Sequence, residues 1–321
     1  MESILFLRVV KTIVGLLGIF GNSLVCIVIY KVPFMHSLTN ALIFNQAAVD
    51  LFGSVVLLLA SNIPVPDPLP NTPAGWILCR IWIGNLFLWG AFSASTLNLL
   101  SVTMERFFAI VYPFRHTRFF TRRLVIILTV GSWVVGIAEQ GVYIAVVQDF
   151  VDGRCFFESS SRTRPIGVLF ICLKFFVPVL LMFSAYISIT YVLVRNAKRV
   201  GMLQPLAAAS GTGAGTEPLP ARVETQGGSL LRAGRNTFKT LLIVTISYFV
   251  CWAPNQVIFF LFNLGWPLDF TSLSYIISVS LVAVNSCINP VIYGIKYKRF
   301  RQGLRKLFGI GVNMDLSSVQ V

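Results

Sequence analysis

Long runs of Leu, Val, Ile and Phe recur along the chain, at about residues 9 to 30, 38 to 63, 77 to 109, 124 to 147, 165 to 194, 238 to 264 and 272 to 294. Each is long enough to cross hydrocarbon as a helix, which takes about 20 apolar residues. None shows the strict two-residue alternation or ten-residue spacing of a membrane barrel. In lipid the backbone must satisfy its own hydrogen bonds, and a helix does so within one segment. The pattern predicts an all-α membrane protein, a seven-transmembrane helix bundle over residues 9–296.

The intervening segments differ in kind. Residues 1–8 form a short N-terminal segment ahead of the first run. That run exceeds the usual length of a signal-peptide core and no small-residue cleavage site follows it, so it is expected to be retained. Residues 201–231 are rich in Gly, Ala, Ser and Pro, which predicts a flexible connector without a core. Residues 297–308 place Phe300, Leu304, Leu307 and Phe308 at helical spacing among Lys298, Arg299, Arg301, Arg305 and Lys306. This is the pattern of an amphipathic helix lying on the membrane surface, and residues 309–321 follow it as a tail.

Composition agrees, because 56% of residues are hydrophobic and 12% are charged, against about 25% charged in soluble domains. That excludes a cytosolic enzyme, a disulfide-scaffold toxin and a disordered chain. The formal charge of +14 would by itself suggest nucleic acid, but its distribution decides otherwise. One side of the membrane carries 19 Lys and Arg against four acids (Glu105, Glu217, Glu224 and Asp315), and the other carries six of each. Basic loops stay in the cytoplasm, so the N-terminus is expected outside and the C-terminus inside a multi-pass plasma-membrane protein. Only Arg8 and Lys11, ahead of the first span, point the other way. The basic strip suits anionic membrane lipids and gives no reason to invoke nucleic acid.

Cys26, Cys172, Cys251 and Cys287 fall within apolar runs, where a buried thiol packs as a small hydrophobe. Cys79 and Cys155 lie on the outer, oxidising side, and a disulfide tying the loop after the fourth span to the third is the economical pairing. Ionisable residues inside a membrane point to function. Asp50 lies in the second span, and Asn22, Ser95, Asn285 and Asn289 lie at comparable depth. Such oxygen-bearing groups suit a hard cation, or equally a hydrated hydrogen-bond network. Glu139 and Lys174, on spans joined by a short loop, either form an ion pair lining a cavity or reach water independently.

In order along the chain stand Gly21-Asn22, Asp50, Cys79, Glu105-Arg106-Phe107, Trp133, Pro178, Tyr186, Cys251-Trp252-Ala253-Pro254 and Asn289-Pro290-Val291-Ile292-Tyr293. In this order and spacing the chain closely resembles the rhodopsin-like, or class A, G-protein-coupled receptors. Pro254 and Pro290 each remove a helix hydrogen bond and provide hinges. The resemblance implies that Trp252 senses a ligand, and that Glu105 restrains Arg106 in the inactive state. It implies that Arg106 meets Tyr186 and Tyr293 when the sixth helix swings outward. It also implies an allosteric sodium ion at Asp50, Ser95, Asn285 and Asn289, no required cofactor, and a heterotrimeric G protein as partner, with arrestin and receptor kinases acting on the tail, for example at Ser317 and Ser318.

Departures from the family pattern narrow the ligand. Leu88 stands where amine-binding members carry an acid, and the seventh span has no Schiff-base lysine of the opsin kind. Phe107 replaces the commoner Tyr, Tyr248 stands where Phe is frequent, and the amphipathic helix lacks a palmitoylated Cys. Residues expected to face the bundle mouth are Trp89 and Phe92 on the third span, Gln140 and Tyr143 on the fourth, and Lys174 on the fifth. Trp252, Asn255, Gln256 and Phe259 on the sixth, Tyr275 on the seventh, and Phe156 and Phe157 in the loop complete the set. An aromatic and amide-rich pocket suits a short peptide, as in the galanin, allatostatin and somatostatin groups of neuropeptide receptors; a chemosensory receptor for small organic molecules is the alternative. A transporter should show repeated halves with broken helices, and none is visible. His36 and His116 lie in cytoplasmic loops with no catalytic motif, so no enzyme activity is expected.

Overall fold

The computed structural model describes residues 2–158, 160–209, 221–269 and 272–310. Seven long helices form the bundle: α1 (Glu2–Lys31), α2 (Leu38–Asn62), α3 (Leu86–Val111), α4 (Arg122–Val147), α5 (Val177–Ala209), α6 (Ala221–Asn263) and α7 (Leu273–Lys296). An eighth, α8 (Lys298–Leu307), follows at once. All seven spans are apolar and long enough to cross a membrane. Side chains follow the logic of a lipid solvent. Phe20, Ile127, Leu180 and Ile187 are among the large apolar groups exposed on the outside, while Asn22, Asp50, Asn98, Thr103 and Asn289 are buried within.

Local signals set several boundaries. Ser37, Thr121 and Ser272 cap α2, α4 and α7 by accepting the backbone N–H of Asn40, Leu124 and Tyr275. Pro113 opens the short helix Pro113–Phe119 between α3 and α4, where its missing N–H removes nothing. Two spans are widened near the same end of the bundle. A π segment, Leu78–Ile83, precedes α3, and another, Cys172–Phe176, precedes α5. In the second case Pro178 has no N–H for the carbonyl of Lys174, four residues back, where an α-helix would need one.

The loop between α4 and α5 forms a hairpin of β1 (Gln148–Val151) and β2 (Arg154–Phe157), with Gln148 opposite Phe157 and Val151 opposite Arg154. Its two-residue turn is Asp152-Gly153, both with positive φ, as a tight hairpin turn demands. The Cys79–Cys155 disulfide expected from the sequence is present and ties the hairpin to the start of the third span.

The amphipathic segment is helical over Lys298–Leu307, with Phe300 and Gly303 buried. Helix α1 already begins at Glu2, and α5 and α6 run into the stretch 201–231, whose Ala, Leu, Gln and Arg residues are good helix formers. Residues 210–220, and the tail 311–321 with Ser317 and Ser318, lie outside the described residues.

Candidate functional site

Helix α3 lies at the centre, packed against α2, α4, α5 and α6, while α1 packs on α2 and α7. The site runs along this axis from the hairpin end to the opposite, basic end.

At the hairpin end a cavity of about 400 Å³ opens between the helices. Trp89 and Phe92 line it from α3, Gln140 and Tyr143 from α4, and Lys174 from the π segment before α5. Asn255, Gln256 and Phe259 of α6, Tyr275 of α7 and Phe157 of β2 complete the expected wall. The widened turn allows both Lys174 and its neighbour Phe175 to be buried. Lys174 Nζ donates to Gln140 Oε1 at 3.0 Å and to the Trp89 carbonyl at 3.4 Å, and the Phe170 ring centroid lies 4.9 Å away. Glu139 does not pair with it. The Glu139 carboxylate accepts a hydrogen bond from Ser93 instead, so the two charges form no direct ion pair, although Glu139 still acts on the buried Lys174 through space.

Two expected wall residues lie elsewhere. Adjacent residues of a strand point to opposite faces, so Cys155 and Phe157 line the cavity while Phe156 is turned away and half exposed. Trp252 lies beneath the wall rather than in it. Its ring packs edge-on against Phe92 at 5.3 Å and Trp89 at 6.2 Å, and lies 5.9 Å from Tyr248. The Tyr248 hydroxyl shares a 2.9 Å hydrogen bond with Thr96 on α3.

In the middle of the bundle Asp50 receives Ser95 Oγ at 3.0 Å on one oxygen and Asn289 Nδ2 at 2.8 Å on the other. Gln46 donates to both oxygens and to Ser95. Asn285 is buried one turn before Asn289 on the same face of α7 and makes no hydrogen bond to Asp50. Pro290 leaves the Ser286 carbonyl without its helical donor, and Asn22 Nδ2 supplies one at 2.8 Å. A Cβ on Gly21 would lie 3.0 Å from the Pro290 ring, so the bare backbone of Gly21 admits the kink. Trp133 Nε1 donates to Asn45 Oδ1 at 2.9 Å, tying α4 to α2.

At the basic end Arg106 grips Glu105 through Nε and Nη2, each at 2.5 Å. Thr39 donates to Glu105 at 3.3 Å and accepts from Arg106, and His116 Nε2 sits 2.9 Å from Glu105 Oε1. The Tyr186 hydroxyl lies between Thr103 of α3 and Thr245 of α6, at 3.5 and 3.3 Å. Tyr293 is buried and packs against Tyr297 and Phe300. The Tyr297 hydroxyl donates to Asn40 at 2.7 Å, and burial pushes this phenol up from its ordinary range. Pro254 and Pro290 both lie inside their helices.

Residues 21–293 match the family model described as 7 transmembrane receptor (rhodopsin family). The chain belongs to that family. It is therefore a multi-pass membrane receptor and not an enzyme. The receptor is 27% identical to galanin receptor 2b of Danio rerio over 94% of its own length and 74% of the relative's. It is also 27% identical to the allatostatin-A receptor of Bombyx mori, over 92% and 77% of the two chains. A D(5)-like dopamine receptor of Takifugu rubripes is 26% identical, over 94% of this chain and 66% of that one. Squid rhodopsin shares the fold, with a TM-score of 0.74 at 18% identity over 98% of this chain and 87% of that one.

Several residues around the receptor's sites escaped the sequence reading. Gln46 stands four residues before Asp50, a spacing that puts both on one helix face and could have disclosed it. Lys11 and Phe170 line the cavity from helix faces that apolar runs do not distinguish. His116 reaches Glu105 only because the helix Pro113–Phe119 folds back along α3, which no local pattern announces.

Proposed function

We propose that this receptor binds a short extracellular peptide at the hairpin end and activates a heterotrimeric G protein at the basic end. The observation that carries the ligand class is the cavity wall. Rings from Trp89, Phe92 and Tyr275 alternate with the amides of Gln140, Asn255 and Gln256, and among the described residues no Asp or Glu lines it. A cationic amine would find no counter-ion there, whereas peptide groups find stacking faces and amide partners. The galanin and allatostatin-A receptors among its relatives support the same reading. In it the hairpin end is extracellular and the C-terminus cytoplasmic in the plasma membrane, as the lopsided Lys and Arg distribution supports.

The contacts suggest how binding is transmitted. Ligand pressing on Trp89 and Phe92 reaches Trp252, which sits beside Tyr248 just below Pro254, where α6 can bend. We read Arg106 held on Glu105 as the inactive packing. An agonist that binds the alternative packing more tightly shifts the equilibrium, and α6 swings outward, freeing Arg106 to meet Tyr186 and Tyr293. Asp50, Ser95, Asn285 and Asn289 offer oxygens and one negative charge, a set that fits a sodium ion favouring the inactive packing. The cytoplasmic tail would take receptor kinases and arrestin, and the basic strip with α8 would rest on anionic lipid.

The test is G-protein activation in cells expressing the receptor, challenged in parallel with short neuropeptides and small organic molecules, with Arg106→Ala as control. A peptide response abolished by Arg106→Ala supports the reading. A response to small organic molecules alone replaces the peptide with a chemosensory ligand.

A further inference from the structure

We propose that Lys174 is the anion anchor of the cavity, and that the bound ligand presents a carboxylate to its ammonium. The proposal rests on reading this cavity as the ligand site. Lys174 is only 9% exposed, and its partners are the Gln140 side-chain oxygen, the Trp89 carbonyl and the faces of Phe170 and Trp89. All are neutral. A buried ammonium is ordinarily held by an opposite charge, yet among the described residues no carboxylate lies within ion-pair distance of it. Glu139, the partner the sequence suggested, is turned to Ser93, and its charge reaches Lys174 through space without a direct ion pair. A second cation, Lys11 of α1, lines the same cavity, and among the described residues no acid does. Two positive groups line a largely apolar concavity whose described wall carries no acid, and Glu139 acts on Lys174 only from beyond ion-pair distance, which leaves a field that draws an anion.

The chemistry selects a carboxylate over a phosphate. Phosphate recognition favours the forked guanidinium of Arg, and among the described residues no Arg lines this cavity. A carboxylate needs one strong cation for one oxygen and a neutral donor for the other. Gln140 spends its oxygen on Lys174 and retains an amide NH2 for that second role. The aromatic faces beside Lys174 would cover an apolar or aromatic group next to the carboxylate. The carboxylate could belong to a peptide, as a free C-terminus or an acidic side chain, or to a small organic acid, and the probes below separate these sources.

The experiment measures thermal unfolding of the purified full-length receptor in lipid nanodiscs. The probes are a pool of N-acetylated acidic and aromatic tetrapeptides with free C-termini, the same sequences with acidic side chains replaced by amides and amidated C-termini, and indole-3-propionate with its primary amide. We expect acids to raise the midpoint at concentrations about tenfold below their amides, the preference to vanish in Lys174→Met, and Lys174→Arg to keep it. Equal shifts from acid and amide overturn the proposal, as does an acid preference that survives Lys174→Met or the absence of any shift in the wild type. If Lys174→Met fails to fold, the wild-type acid and amide comparison decides. Equal stabilisation by both peptide pools leaves the peptide reading standing without the anion anchor. Preference for indole-3-propionate with no effect of any peptide leaves the anchor standing without the peptide reading.

Discussion

Lys174 at the hairpin end and Arg106 at the basic end are both cations set into the bundle, and they are held in opposite ways. Arg106 meets a carboxylate through two nitrogens, and that carboxylate also engages Thr39 and His116. Lys174 meets two carbonyl oxygens and two ring faces. The cluster at the basic end is thus satisfied within the chain, and in the proposed mechanism it must be disrupted to signal. The proposed ligand site leaves Lys174 without a direct ion pair, which the proposed anionic ligand would supply. An equilibrium between two packings can be driven by a ligand only through such a difference, because a group already satisfied in both states offers no differential binding.

Breaking the anchor of the hairpin is the most severe test of this contrast. Cys79→Ser frees the strand that covers the cavity, and we expect a loss of about 2–4 kcal/mol in stability, read as a lower unfolding midpoint of the purified receptor. At the other end Glu105→Gln removes the charge that holds Arg106. A charged hydrogen bond is worth about 1.5–3 kcal/mol, so ligand-free nucleotide exchange on the G protein should rise about tenfold or more; unchanged basal exchange would remove Glu105 from the latch.

Smaller effects sharpen the picture. Phe157→Ala should weaken agonist binding severalfold, about 1 kcal/mol, whereas Phe156→Ala should leave affinity within about twofold, as competition binding would show. Equal effects would mean that strand alternation does not orient this loop towards the ligand. His116→Phe keeps the stacking on Phe120 but loses the contact with Glu105, worth about 0.5–1 kcal/mol. It should raise basal exchange by about two- to fivefold, less than Glu105→Gln.

Legibility in the sequence followed the range of the physics involved. Seven spans, the amphipathic helix and the outer disulfide could be read because each depends on segment length, periodicity or side of the membrane. The Gly21-Asn22 pair was visible only as part of a resemblance; its reason, an Asn side chain serving the carbonyl that Pro290 leaves unpaired, spans 264 residues. Phe156 was misplaced because the loop's strand register was not foreseen. The Glu139 and Lys174 question stayed open because a one-residue difference in a widened turn decides which face a side chain takes, by about 100° for an α-helical step.

The sequence alone determined that this chain is a seven-helix membrane receptor of the rhodopsin family, since hydrophobic length and the ordered motifs are written in one dimension. Only the tertiary structure decided that Lys174 faces neutral groups, that His116 joins Glu105, and that Gln46 completes the shell of Asp50. Those arrangements depend on which helices lie side by side and on how each is rotated. Packing sets both, through proline-induced widening, close glycine contacts and hydrogen bonds between residues distant in the chain.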